Sequence, residues 1–427
     1  MSTQALPDLK LHDRIASRTI TLNDRDGLLV HVLEALPAIR SSPAPLPLIL
    51  LLHGFPELAY SWRKVLAPLA DARGGYHVVA PDLRGFGRTR EHSVESYQYD
   101  DPLAPFNILN IVEDVCALVR ALGYTSVALL VGHDFGSPVA GHCVIAHPDL
   151  FKSVVFMSAP FTGIEKPVSA DVNTGGSGAS DGTDRSTASL THADAVQVAL
   201  AALSPPRKHY TAYFSTPNAN KEMLGEGPEA LYHILGAYFH MKSGAWEGNN
   251  ARPLQSASMS PPTIQALAAD LATLPEYYVM PLHENMRQVI FRHTAGFGPG
   301  RTWPRGEEDA GAVYAAEFGR TGFQGALNYY RSALSPPPLE RTAQLIALAE
   351  RRADVPAAFI SGMRDWGVYQ TPRAEAKMKQ FFGMGSEDFV LIEGAGHWIQ
   401  QEAPQRVVEE LVSFLDRVDR NARGTIS

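Results

Sequence analysis

The sequence predicts an α/β fold: a mostly parallel sheet flanked by helices, interrupted by a long helical insertion. Three observations point there. Short, near-continuous apolar runs alternate with helix-period segments between residues 46 and 160, as buried parallel strands and their covering helices do. That strand patterning is lost over about 161–341, and it returns at Ala357–Ser361 and Phe389–Ile392.

In chain order, Ser17–Leu22 and Leu28–Leu33 read as an antiparallel hairpin around the turn residues Asn23–Gly27. Leu46–Leu52, His77–Ala80, Ser126–Gly132 and Ser153–Met157 follow as buried strands. Between them, apolar residues at 108, 111, 112, 115, 118, 119 and 122 give Ile108–Leu122 a helical period with one buried stripe. The insertion comes after the sixth strand. Within it, Glu229–Lys242, Pro262–Leu274 and Phe323–Leu334 have helical length and spacing, separated by Pro-rich breaks at 205–206, 261–262 and 336–338. Thr174–Ser189, a Gly/Ser/Thr/Asp run, has too little apolar surface to order itself and reads as a mobile loop. The expected division is therefore a core from 1–160 and 341–427, with a helical cap at 161–340 and its Gly/Ser-rich loop near 174–189.

Composition narrows the function. The 427 residues can bury a large core, and 45% hydrophobic with 19% charged residues is ordinary for a globular enzyme. With 37 basic against 45 acidic residues the formal charge is −8, so nucleic acid is not an expected partner. Two cysteines, Cys116 and Cys143, make no disulfide framework and fit a reducing, cytoplasmic setting. The longest apolar run, Leu46–Leu52, is far shorter than the ~18–20 residues of a membrane span, and no secretory signal is visible. No cofactor is expected and no metal pattern occurs: His283-Glu284-Asn285-Met286-Arg287 lacks the second histidine of a zincin helix. The glycines at 296, 298 and 300 follow no strand and read as a turn, and nothing signals an oligomeric state.

Three strand ends carry chemistry. Val127–Ala140 reads strand, then Gly132-His133-Asp134-Phe135-Gly136, then helix; small residues around one polar side chain at such a turn are the nucleophile-elbow pattern. Its centre is Asp134, where an esterase would have serine. His133 reads as a packed strand-end histidine. Upstream, His53-Gly54-Phe55-Pro56-Glu57 can aim the Phe55 N–H at the elbow, where with the Phe135 N–H it would form an oxyanion hole. Downstream, Ser361-Gly362-Met363-Arg364-Asp365 places Asp365 to orient the histidine of Glu393-Gly394-Ala395-Gly396-His397-Trp398. The order nucleophile, acid, histidine is that of α/β-hydrolases.

With these motifs the sequence resembles the α/β-hydrolase-fold epoxide hydrolases, from about residue 15 to 415. The resemblance is carried by His53-Gly54-Phe55-Pro56-Glu57 with Trp62, by the elbow, and by Gly394-Ala395-Gly396-His397-Trp398 followed by Gln400, Glu402 and Pro404. It implies an epoxide and water as reactants, and two cap tyrosines that hold the epoxide oxygen. Gly322-Phe323-Gln324-Gly325-Ala326-Leu327-Asn328-Tyr329-Tyr330-Arg331 implies Tyr330. His209-Tyr210-Thr211-Ala212-Tyr213-Phe214 with Pro217 implies Tyr210, Tyr213 competing. Trp62, Trp398 and Tyr213 are the pocket residues it suggests. The Gly/Ser-rich insertion and the Pro-rich cap depart from the family and bear on substrate choice.

Chemistry leads the same way without the resemblance. A carboxylate that attacks an acyl carbon makes a reactive anhydride, whereas at a saturated carbon it makes an ordinary ester. Displacement at sp3 carbon is therefore expected, by epoxide opening or halide release. A haloalkane or haloacid dehalogenase with the same triad is the alternative, and a ligand-binding member without turnover is another. Many haloalkane dehalogenases have tryptophan directly after the nucleophile; this chain has Phe135.

Overall fold

The computed structural model describes residues 6–40, 43–91, 94, 96–166, 192–258, 263–295 and 308–424. Thr174–Ser189 and the glycines at 296, 298 and 300 lie outside these. Among the described residues ten strands occur in chain order: β1 (Ala16–Leu22), β2 (Leu28–Ala35), β3 (Leu48–Leu52), β4 (His77–Pro81), β5 (Leu129–His133), β6 (Val154–Met157), β7 (Arg207–His209), β8 (Val279–Pro281), β9 (Ala357–Gly362) and β10 (Phe389–Ile392). Eight of them make one sheet in the order β1-β2-β4-β3-β5-β6-β9-β10. The β1–β2 and β2–β4 pairs are antiparallel and the rest parallel.

The middle strands are mostly apolar because both faces are covered: every residue of β3, β4, β5, β6 and β9 is buried. The helix Ile108–Ala121 covers one face with Ile111, Val112, Val115, Leu118 and Val119, and Asn107 caps its start by accepting from the Leu109 N–H at 3.1 Å. Register then decides where chemistry sits. Leu52 pairs with Gly132, His133 with Met157, Met157 with Ile360 and Gly362 with Ile392, so five parallel strands run out at one level. Loops leaving β3, β5, β9 and β10 meet at this carboxyl edge, where open α/β sheets take their ligands.

Strand ends differ from the sequence reading by a few residues. Leu46 and Pro47 precede β3, and Ser126–Ala128 precede β5, because the ladder begins only where a neighbouring strand offers partners. The insertion holds helices at 228–242, 264–271 and 324–334, the second shorter than the expected Pro262–Leu274. It also holds strands the sequence reading lacked. β7 and β8 pair antiparallel over three residues each, too short for a period-2 pattern to show.

The loop after β4 is fixed to the sheet by Asp82. Its Oδ2 lies 2.7 Å from His31 Nδ1 and accepts from the Arg88 N–H at 2.9 Å, while Oδ1 accepts from the Ala59 N–H at 2.8 Å. Burial alone would raise the carboxyl; the His31 contact, the nearby His53 and the Arg88 N–H outweigh it and hold the pKa at about 2, below the ordinary 3.8. A depressed carboxyl stabilises the fold above its unfolded value and loses that contribution as pH falls through the folded one. Asp82→Asn should therefore cost about 2 kcal/mol near neutral pH, with the deficit shrinking from about pH 4 downward. Denaturation midpoints of both proteins across that range provide the check; a deficit independent of pH would contradict the linkage.

Candidate active site

The chain turns sharply after β5, and Asp134 takes a φ of 49°, a left-handed conformation that a non-glycine residue holds only where its surroundings enforce it. The turn closes because Gly132 has no side chain: a Cβ there would lie 2.2 Å from the Gly136 carbonyl oxygen. Gly54 is needed for a similar reason, since its Cβ would lie 2.3 Å from Asp134 Oδ1. With that space free, the Phe55 N–H donates to Oδ1 at 2.9 Å. Oδ2 lies 3.1 Å from His397 Nε2. The two carboxylate oxygens are thus distinguished, one held by a backbone donor and the other facing the imidazole.

His397 is oriented from behind. Its Nδ1 is 3.0 Å from Asp365 Oδ2, and Asp365 accepts further from the Gly367 N–H at 2.7 Å and the Ser361 hydroxyl at 3.1 Å. Asp365 and His397 are almost wholly buried, whereas Asp134 keeps 15% of its side chain accessible. Burial would raise the Asp134 carboxyl, but the His397 hydrogen bond and the charges of Lys242 and His397 hold it well below the usual range. It stands ready as an anion. For His397, burial and Lys242 pull the pKa down, yet Asp365 and Asp134 together raise it.

The imidazole loop is tied to the insertion. The His397 N–H donates to the Lys242 carbonyl at 2.9 Å. Glu402 accepts from the N–H groups of Gly244, Gly396 and Trp398 at 2.7, 3.0 and 2.9 Å. Beneath, His133 Nδ1 lies 2.6 Å from Glu57 Oε2 and its Nε2 lies 2.8 Å from the His397 carbonyl, so both ring nitrogens face oxygen acceptors. Gln400 supports Glu57 in turn, at 2.6 Å.

Above Asp134, the helix Gln324–Leu334 brings the Tyr330 ring to centroid distances of 5.5 Å from both Phe55 and Phe135. Tyr210 opens the short helix Tyr210–Phe214 directly after β7, and its ring is 5.9 Å from that of Tyr330. Among the described residues neither hydroxyl has a protein partner. Burial, then the charge of Asp134, raises the pKa of Tyr210; burial, then Tyr210 and Asp134, raises that of Tyr330. Both therefore remain protonated donors.

The expected pocket set needs correction. The Tyr213 hydroxyl donates to Glu222 at 2.8 Å, which turns it away from Asp134 and leaves Tyr210 as the tyrosine beside Tyr330. Trp62 is 0% exposed and packs edge-on against His133, so it supports that ring and offers a substrate no surface. Trp398 lies beside His397, ring centroids 4.6 Å apart, with its Nε1–H donated to the Phe239 carbonyl at 2.8 Å. The Phe135 N–H makes no hydrogen bond among the described residues, while its ring meets Tyr329 and Tyr330.

Two residues had no role in the sequence reading. Glu57 stood in a quoted motif, but nothing in sequence links it to His133. Lys242 ends the helix Pro228–Lys242, where a basic residue reads as an ordinary partner of the helix dipole; in the fold it is buried. Among the described residues no cluster of His, Cys, Asp or Glu could hold a metal ion, and no helix is long and apolar enough to cross a membrane.

Residues 47–210 match the family model described as alpha/beta hydrolase fold. Epoxide hydrolase A of Mycobacterium tuberculosis is 30% identical over 402 residues, 93% of this chain and 97% of that protein. Epoxide hydrolase 3 of Siraitia grosvenorii is 29% identical over 416 residues, covering 95% and 99%. Among solved structures, an epoxide hydrolase from an endophytic Streptomyces superposes with a TM-score of 0.66 at 25% identity, covering 96% of this chain and 97% of its own. Epoxide Hydrolase A from Mycobacterium thermoresistibile gives 0.63 at 26% identity, covering 94% and 98%.

Proposed function

Because the chain belongs to the epoxide hydrolases of the α/β-hydrolase fold, we propose that it converts an epoxide and water to a vicinal diol through an ester on Asp134. The observation that carries this reading is an ionised carboxylate at a nucleophile elbow beneath two unpartnered tyrosine hydroxyls. In the first step Oδ2 attacks an oxirane carbon and the C–O bond breaks. Tyr210 and Tyr330 donate to the departing oxygen, and one proton passes to it. In the second step His397 takes a proton from water, and the resulting hydroxide attacks Cγ of the ester. The charge then gathers on Oδ1, where the Phe55 N–H already points, with the Phe135 N–H as its companion. Collapse expels the diol and restores the carboxylate, and the proton held by the imidazolium returns to the tyrosinate left by the first step. Asp365 orients His397 and stabilises the imidazolium.

In this reading the insertion, 161–340, is the cap that carries the tyrosines, and 1–160 with 341–427 is the core. Two free, buried thiols, Cys116 and Cys143, suit a cytoplasmic setting. Halide release draws less support: Phe135 occupies the position after the nucleophile, and the Trp398 indole N–H is committed to a carbonyl. A panel of epoxides and alkyl halides, with diol and halide measured together, should yield diol without halide. Halide from the alkyl halides with no diol from any epoxide would reverse the assignment.

A further inference from the structure

Lys242 is a lysine that a packed core would not be expected to keep. It ends the helix Pro228–Lys242 with only 3% of its surface exposed. Among the described residues no hydrogen bond or ion pair reaches its Nζ. The ammonium instead faces aromatic rings, 5.0 Å from the centroids of Tyr278 and Trp398 and 5.5 Å from that of Tyr238. Such contacts recover only part of the hydration that an ammonium loses on burial.

The carboxylates whose charge reaches it are Asp134, Asp365 and Glu57. Each is engaged elsewhere: Asp134 with His397 and the Phe55 N–H, Asp365 with His397, Glu57 with His133 and Gln400. The hydroxyl of Tyr278 is sealed from solvent and has no partner, and that of Tyr238 makes no hydrogen bond among the described residues. A buried cation and the two tyrosines it faces thus lack an acceptor among the described residues. Tyr210 and Tyr330 already account for the oxygen of an epoxide, so this second donor set is surplus to a neutral substrate.

We propose that Lys242, with Tyr238 and Tyr278, is an anion subsite, and that the substrate is an epoxide bearing a carboxylate. The proposal rests on the epoxide reading of the site. The anionic group belongs near the oxirane, because Nζ and the base share a neighbour: the Trp398 ring is 4.6 Å from that of His397 and 5.0 Å from Nζ. A short epoxy acid such as a glycidate keeps its carboxylate near the oxirane, as that proximity asks, whereas the long chain of a fatty acid carries its carboxylate away from it. Pairing with a carboxylate would also neutralise the ammonium as Asp134, one of its distant counter-charges, is consumed by alkylation. Burial lowers the pKa of Lys242 against the pull of Asp134, Asp365 and Glu57; the cation is therefore lost earlier than usual on the alkaline side.

The test compares 3-phenylglycidate with 3-phenylglycidamide, which has the same oxirane and no charge. Wild-type protein should turn over the acid with kcat/KM at least about tenfold above the amide, through KM. That preference should fade as pH rises and Lys242 loses its proton. Lys242→Met should abolish the preference: any change it makes in the triad falls on both substrates alike, through kcat, while KM for the acid alone rises about tenfold or more. Lys242→Arg, which keeps the charge, should retain part of it. Equal turnover of acid and amide by wild type, or an equal loss on both in Lys242→Met, overturns the anion subsite and leaves the epoxide reading intact. Turnover of neither compound, with no covalent adduct from either in a His397→Gln background, removes both.

Discussion

In His397→Gln, one equivalent of substrate should accumulate on the protein as a stable ester, and turnover should fall by about 10²–10⁴. The two half-reactions ask different things of the site. Asp134 is ionised by its surroundings and needs no base to attack; its Oδ2 is the oxygen left clear of the Phe55 N–H. Water next to the ester does need a base, and His397 Nε2, 3.1 Å from the same carboxylate, is the group aligned to supply it. The pH behaviour follows. Burial and Lys242 pull the pKa of His397 down in the free protein, while Asp365 and the hydrogen bond to the Asp134 carboxylate raise it. Once the carboxylate becomes an ester its charge is gone, so the imidazole releases its proton more readily at the stage where it must act as a base. Intact mass after incubation should rise by one substrate, and peptide mapping should place the addition on Asp134. Asp134→Ala should show no addition. If His397→Gln binds an epoxide that wild type turns over, and no adduct forms, the covalent route is wrong and a directly activated water must replace it.

Tyr330→Phe and Tyr210→Phe should each raise the alkylation barrier by about 2–4 kcal/mol, with the remaining hydroxyl compensating in part. Their rings lie edge to face, 5.9 Å apart, and the Tyr330 ring packs on both phenylalanines that flank the nucleophile, so removing one oxygen leaves the aromatic packing in place. The loss should appear in pre-steady-state alkylation and leave hydrolysis of a preformed ester unchanged, because the ring oxygen has already gained its proton by then. Unchanged alkylation in both single variants and in the double variant would remove the tyrosines from the mechanism.

Much of this site was legible in the sequence because it is built from strand ends. A buried parallel strand shows as an apolar run, and the residue just past it is placed by register; Asp134, Asp365 and His397 could be found from the ends of β5, β9 and β10 alone. The cap was harder to read. Tyr210 and Tyr213 are three residues apart on one short helix, and only the Tyr213–Glu222 hydrogen bond separates their directions. Trp62 illustrates another limit, since a motif names a residue without saying whether it faces substrate or lies behind His133. Lys242 was illegible for a different reason: its burial comes from Tyr238, Tyr278 and Trp398, the last more than a hundred residues away, and no local pattern encodes that encounter.

The carbonyl of Lys242 and the carboxylate of Glu402 give the cap a part in timing. The His397 N–H donates to the carbonyl that ends the helix Pro228–Lys242, and Glu402 holds N–H groups from both sides of that seam, at Gly244 and at Gly396 and Trp398. Lifting the cap along this edge would break the contacts that aim the imidazole, so an open seam and a working base exclude each other. A path that admits substrate without disturbing them has to pass elsewhere along the rim, and a molecule trapped as the ester is then hydrolysed in a chamber whose latch and whose base are fastened by the same few bonds.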